Sequence, residues 1–263
     1  MANELESGLI ALASGKLALD VLGPSAKLAG KELKEYTAAG LARLRHLWTK
    51  AEQRRRALRL RHRNLSPRVL PALLRSSSAG DDEVMQAYFS GVLCSSFSTA
   101  GRDDRAVGFI RLIEGLSTYA LRAHCIIYSS VALQQNHKMS DVRKWLMLGR
   151  GITVAFDDRQ FRKRMRFIRG EDQQAMLDHA FVSLSSNDLC MQGLHPSVKV
   201  ADKTQYRWMH LTLRGAELYC WANGFGQKGV TEFFADRKVS DEVRAVALKP
   251  AKLELGLVNY MTD

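Results

Sequence analysis

The residues of this 263-residue chain that are best suited to bind another molecule are arginines. Residues 43–75 hold eleven Lys/Arg (43, 45, 50, 54, 55, 56, 59, 61, 63, 68 and 75) against one acid, Glu52, a net +10. The whole chain carries 39 Lys+Arg and 27 Asp+Glu, a net +12, so most of the excess sits in this stretch. Ten of the eleven are Arg, whose planar donor fork matches a phosphate better than a lysine ammonium does. Arginines on both flanks of a helix would let it track a phosphate backbone. Arg54, Arg55, Arg56, Arg59, Arg61 and Arg63 are therefore the first candidates for nucleic-acid binding. The competing reading is a solvated face, balanced by acids elsewhere in the fold or in another subunit. A second basic cluster runs from Arg159 to Arg169, with Arg162, Lys163, Arg164 and Arg166 interleaved with Phe161, Met165 and Phe167. Such mixing suits phosphate grip with base stacking. The plainer reading, which the spacing favours, turns Phe161, Met165 and Ile168 inward at i, i+4, i+7 and the arginines outward.

For catalysis the reading is negative. The chain has no Walker loop, no G-x-S-x-G, no H-E-x-x-H and no strand-linked G-x-G-x-x-G. Asp157-Asp158 and Glu171-Asp172 bracket the second cluster as nuclease carboxylates would. Adjacent acids point to different sides of a helix, however, and these stand where helix N-caps are expected. His124 and Cys125 lie in an apolar helix, where neighbours at i, i+1 do not face each other. His195, before Pro196, reads as a turn residue. Cys94, Cys125, Cys190 and Cys220 form no C-x-x-C pair and read as small buried hydrophobes, which fits a reducing compartment. No catalytic residue, metal ligand or cofactor is expected.

The elements that position these residues are mostly helical. Leu5, Leu9, Leu12 and Leu19 predict a short amphipathic helix ending near Gly23. From Pro24 to Arg63 one long helix is predicted, with Leu33, Leu41, Leu44, Leu47, Ala51 and Leu58 along one stripe and Gly40 as a break point. Ser66-Pro67 starts a short helix, with Pro71 delaying or kinking it. Asp81 or Asp82 caps the next, faced by Met85, Phe89, Val92 and Leu93. Helices follow through Phe109 to Leu116, from Ser117 to Val131, after Ser140, from Glu171 through Leu184, and at 187–192. Tyr206 to Thr212 alternates as a strand, Thr212 caps a helix from Leu213 to Ala222, and Gly224 closes it. The fold class is thus mainly α: a multi-helix bundle with a small winged-helix-like C-terminal element containing one or two short strands. Its divisions are N-terminal amphipathic and basic helices (1–64), a central bundle (65–170), the winged-helix-like element (171–225) and a weakly patterned tail (226–263). The start lacks a signal-peptide pattern and no stretch approaches about 18 consecutive apolar residues, so a cytoplasmic location is expected.

Three passages together resemble the Abi-alpha family of bacterial abortive-infection proteins. They are Val21-Leu22-Gly23-Pro24-Ser25-Ala26-Lys27 with the helix after it, Leu65-Ser66-Pro67-Arg68-Val69 running to Asp81-Asp82-Glu83 and Val92-Leu93, and Leu211-Thr212-Leu213-Arg214-Gly215-Ala216-Glu217-Leu218 with Trp221-Ala222-Asn223-Gly224. The likeness covers most of residues 20 to 225, with Tyr88-Phe89 standing where the family pattern suggests a tryptophan. It implies a helical cytoplasmic protein of anti-phage defence and supplies no catalytic residues. Joined to the basic cluster, it predicts a defence protein that acts by binding nucleic acid or another polyanion. A protein partner encoded alongside and a homo-oligomer also fit that reading. Two alternatives stand beside it. One is a membrane-active or oligomerising effector, suggested by the amphipathic helix from Leu5 to Leu22. The other is a metal-dependent nuclease of unfamiliar design, suggested by the paired acids.

Overall fold

The computed structural model describes residues 38–60, 64–76, 82–134, 152–192, 206–230 and 252–255. The chain is mainly helical, with eight helices and six short strands among the described residues. It divides into two compact units: Met1–Glu114 with Ala222–Gln227, and Gly115–Trp221 with Lys228–Asp263.

In the first unit, α1 (Ala38–Ala57) packs on α3 (Glu83–Ser95), while α2 (Val69–Ser76) and α3 both pack on α4 (Arg105–Glu114). Strands β1 (Asn64–Leu65) and β2 (Phe97–Ser98) pair antiparallel. Leu44, Leu47 and Ala51 of α1 are buried, as their stripe predicts, together with Leu73, Phe89, Val92 and Ile110. The predicted helix to Arg63 stops earlier, at Ala57. Leu60 N–H bonds the Arg55 carbonyl at 3.0 Å and Arg59 N–H bonds the Arg56 carbonyl at 3.1 Å. This is a Schellman stop, with Arg59 left-handed at φ 54° in the place where glycine is usual. Gly40 lies within α1 and does not break it. Asp82 is the α3 cap, its carboxylate accepting from Val84 N at 2.8 Å. Pro71 is the third residue of α2, where its missing N–H has no intrahelical acceptor to lose. Residues 222–227 complete this unit. Gly226 N–H bonds Ser95 Oγ at 3.1 Å, Gln227 Nε2 bonds the Ser95 carbonyl at 3.0 Å, and Phe225 is buried.

The second unit contains α5 (Thr118–Gln134), β3 (Ile152–Asp157), α6 (Asp158–Met165), α7 (Gln173–Ser186), β4 (Cys190–Gln192), β5 (Tyr206–Leu211), α8 (Leu213–Ala222, its last residue counting with the first unit) and β6 (Lys252–Leu255). The sheet is antiparallel in the order β4-β5-β3-β6. Helix, strand, helix, helix, strand, strand, with the last strand between the other two, is the connectivity of a winged helix. It starts at Thr118, well before the expected Glu171, because β3 supplies its first strand and α5 its first helix. The helix expected at 187–192 is instead a turn and β4. Leu189 N–H bonds the Leu184 carbonyl at 2.8 Å and Asp188 turns left-handed at φ 55°, ending α7, and Cys190 then pairs with Leu211. Phe156, Phe161 and Phe181 form a buried aromatic row, with successive ring centroids 5.7 Å apart. Each such ring contributes about 2–3 kcal/mol by leaving water. Residues 135–151, 193–205 and 231–251 lie outside the described residues, and with them the helix expected after Ser140.

Gly215 of α8 sits where a Cβ would lie 2.0 Å from the Leu189 carbonyl oxygen and 2.1 Å from Tyr128 Oη. The close approach lets Tyr128 donate to the Leu189 carbonyl at 2.7 Å and accept from Thr212 N at 3.1 Å. Thr212 caps α8 as expected, its Oγ1 accepting from Gly215 N at 3.0 Å.

Candidate nucleic-acid interface

The first basic cluster is partly spent on folding. Arg54 donates to the Ala222 carbonyl at 2.8 Å and to the Ala87 carbonyl at 3.3 Å. A cation is favoured there, at the carboxyl end of α8, where backbone carbonyls lack helical partners. Arg55 is only 8 % exposed. It is ion-paired to Glu52, and its guanidinium lies 4.1 Å from the Phe97 ring centroid. Among the described residues, the single acid of the cluster thus pairs with its most buried cation. Buried Arg55 therefore presents no phosphate fork to solvent, which corrects the expectation for it, and half-buried Arg54 spends its Nη1 within the fold. Arg56 and Arg59 are exposed. Arg61 and Arg63 lie outside the described residues. Elsewhere in this unit Arg68 pairs with Asp104, and Arg105 pairs with Asp103, whose carboxyl the Arg105 hydrogen bond draws down to about 2.

The second cluster lies on α6 and the turn after it. Phe161 and Met165 are buried, as the plainer reading predicts, but Ile168 is 69 % exposed. The reason is that α6 ends at Met165 and Arg166 turns left-handed (φ 53°, ψ 52°), so the helical spacing does not reach Ile168. Arg162 is committed inward, to Asp158 at 2.6 Å and to Gln174. Lys163, Arg164 and Arg166 are exposed, and so are Arg159 and Arg169, which were not among the candidates. The signal for Arg159 was its i, i+4 spacing to Lys163, which puts both on one helix face.

The acids nearby hold this cationic face in place. Asp157 caps α6, accepting from Gln160 N at 2.9 Å. Asp158 receives Arg207 of β5 at 2.6 Å as well as Arg162. Burial alone would raise the Asp158 carboxyl, but the hydrogen bonds and charges of Arg162 and Arg207 outweigh it and hold it below its usual value. Arg207 also lies over the Phe181 ring at 4.9 Å, joining β5 to α7. Asp172 caps α7, accepting from Gln174 N at 3.0 Å. Glu171 accepts from Ile168 N at 2.6 Å and from Tyr119 Oη. Arg122 of α5 donates to the Met165 carbonyl at 2.7 Å. The turn carrying Arg166 and Arg169 is therefore tied to α5 through Arg122, Tyr119 and Glu171, of which the sequence singled out only Glu171.

Of the paired acids expected to cap, Asp157 and Asp172 do so while Asp158 and Glu171 take the side-chain partners above, and among the described residues no group of three or more His, Cys, Asp or Glu is placed to hold a metal ion. Burial pushes the thiols of Cys94 and Cys190 up to about 12 and that of Cys220 well above its usual value, so all three stay protonated. His124 is fully buried, its Nε2 3.0 Å from the Gly215 carbonyl, while Cys125 is half-buried. Among the described residues no helix is long and apolar enough to cross a membrane; Leu5 to Leu22 and His195 lie outside them. No family model, no curated protein and no solved structure matches the chain.

Proposed function

We propose that this chain is a bacterial anti-phage defence protein whose winged-helix unit binds nucleic acid through the outer face of α6 and the turn that follows it. The observation that carries the reading is a segregation of charge. Arg159, Lys163, Arg164, Arg166 and Arg169 are exposed within eleven residues, while Asp157, Asp158, Glu171 and Asp172 accept hydrogen bonds from the fold. Exposed cations on a rigid support attract phosphates and release counterions on contact. The defence role rests on the Abi-alpha resemblance, and a cytoplasmic location goes with it.

Fluorescence anisotropy with labelled DNA and RNA, repeated from low to high salt, tests the binding. The five cations of the α6 region predict a slope of log K against log salt of about −4. Absence of binding at low salt, or binding unchanged when Arg159 and Lys163 are both replaced by Ala, would refute it.

A further inference from the structure

In a winged helix the element that normally enters the major groove is the third helix, here α7. Its outward face is poorly made for that. Gln173, Gln174, Ala175, Asp178, His179 and Val182 are among its outward residues, and none of its residues from Gln173 to Ser186 is Lys or Arg. A helix seated between two phosphate rows would bring Asp178 into a strongly negative field with no cation of its own to offset it. Gln174, the residue type that pairs with adenine, is already engaged: its Oε1 accepts from Arg162 and its Nε2 donates to Asp178 at 2.7 Å. Val182 is 63 % exposed and offers no hydrogen bond. The cations stand on the preceding helix and turn instead. On α6 the exposed positions 159, 160, 163 and 164 span about 140° of the helix, opposite buried Phe161 and Met165.

Stacking is not provided for either. Phe161 of α6 is buried, and Phe167 is half-buried with its ring centroid 5.2 Å from that of Tyr119, so neither presents a fully exposed ring as a base platform for single-strand binding.

We infer that the unit grips the phosphate rows of a nucleic-acid duplex through Arg159, Lys163, Arg164, Arg166 and Arg169, and that α7 does not read bases. The inference rests on the nucleic-acid reading above and specifies it as duplex binding without sequence preference. Arg122 and the Tyr119–Glu171 pair act as positioning residues, since they hold the turn that carries Arg166 and Arg169.

The experiment is an anisotropy titration of the full chain with two DNA duplexes of unrelated sequence, a single strand of equal length, and an RNA duplex. Expected are affinities within about twofold for the two DNA duplexes, weaker binding of the single strand, and an RNA duplex within about tenfold of DNA, because phosphate rows are common to both. Arg159→Ala with Lys163→Ala should weaken every duplex alike, by about tenfold, and flatten the salt slope by about two. His179→Ala with Val182→Ser should leave affinity within about twofold. Both pairs occupy exposed positions, and melting curves matching the parent's establish that neither has unfolded. A preference above about tenfold between the DNA duplexes, or a loss on changing α7, would show base readout by α7 and overturn the inference while leaving nucleic-acid binding standing. Tighter binding of the single strand, or a preference above about a hundredfold between RNA and DNA duplexes, would also overturn it. No binding to any of the four probes at low salt would remove the nucleic-acid reading itself.

Discussion

His124 makes a quantitative test of the second unit's core. It is fully buried on α5 with its ring centroid 4.5 Å from that of Tyr128. The Gly215 carbonyl can only accept, so Nε2, 3.0 Å away, carries the proton and donates. Burial disfavours the imidazolium and lowers the pKa from 6.5 to about 3. Above the unfolded value both states are neutral and the residue adds no pH dependence. As pH falls below it, the unfolded chain takes up a proton that the folded chain refuses, so stability declines until pH reaches the folded value. At pH 5 the unfolded group lies about 1.5 units below its pKa, which at roughly 1.4 kcal/mol per unit is a loss of about 2 kcal/mol relative to pH 8. Urea unfolding followed by far-UV circular dichroism at the two pH values measures this. His124→Gln keeps an amide donor for Gly215 and removes the titration. The variant is expected to be weaker at pH 8 by about 1–2 kcal/mol, through imperfect packing around Tyr128. Its further loss on going to pH 5 should be about 2 kcal/mol smaller than the parent's. Every other ionisable group is common to both proteins and cancels in the comparison. Equal losses in parent and variant, to within about 0.5 kcal/mol, would refute the buried neutral imidazole.

Gly215→Ala should cost about 3 kcal/mol or prevent soluble expression, because its Cβ would collide with the Leu189 carbonyl and Tyr128 Oη; an unchanged thermal midpoint would contradict the packing described. Asp158→Asn leaves Arg207, whose side chain is 12 % exposed, without its carboxylate, and should lower stability by about 2 kcal/mol at neutral pH. Since the Asp158 carboxyl is held below its usual value, the difference between parent and variant is present above the ordinary carboxylate pKa. It should vanish as pH falls through the folded value, which unfolding curves at descending pH would show. Arg59→Gly should raise stability by up to about 1 kcal/mol by relieving the left-handed arginine that ends α1, read as a higher urea midpoint.

What was legible in the sequence is what depends on near neighbours. Asp82, Asp157, Asp172 and Thr212 were readable as caps because an N-cap needs only a short polar side chain two or three residues before the donors it satisfies. Buried Leu44, Leu47, Phe161 and Met165 follow from helical spacing in the same way. Ile168 did not, because helical spacing last holds at Met165 and the left-handed Arg166 interrupts the period at the next residue. Strand β5 was legible in the alternation from Tyr206 to Thr212, but β3 and β4 were hidden for a different reason. Ile152-Thr153-Val154-Ala155-Phe156 is rich in β-branched and aromatic residues. Its identity as β3, however, depends on pairing Thr153 with His210 and with Glu254, partners that lie far along the chain. Three-residue β4 has no period long enough to read and exists because Cys190 meets Leu211.

Charge shows the same divide with functional consequences. Counting residues places the excess between Arg43 and Arg75 and marks Arg54 and Arg55 as phosphate forks. Yet Arg54's acceptor, the Ala222 carbonyl, is 168 positions away in sequence, and Arg55 is covered by Glu52 and Phe97. A cation's availability is set by such distant partners, so the stretch with the largest net charge need not offer the most cations to a ligand. On α6 the opposite happens. Asp157, Asp158, Glu171 and Asp172 cancel much of the second cluster's charge in a sequence count, but in the fold they turn to backbone amides, to Tyr119, and to Arg162 and Arg207. With these acids engaged by the fold, Arg159, Lys163, Arg164, Arg166 and Arg169 stand on the outer surface. Replacing Arg159 and Lys163 should for that reason weaken duplex binding more than replacing Arg54 and Arg55, whose loss should appear first as a fall in thermal midpoint. The reverse order, measured by anisotropy and melting on the same two double variants, would return the phosphate contacts to α1.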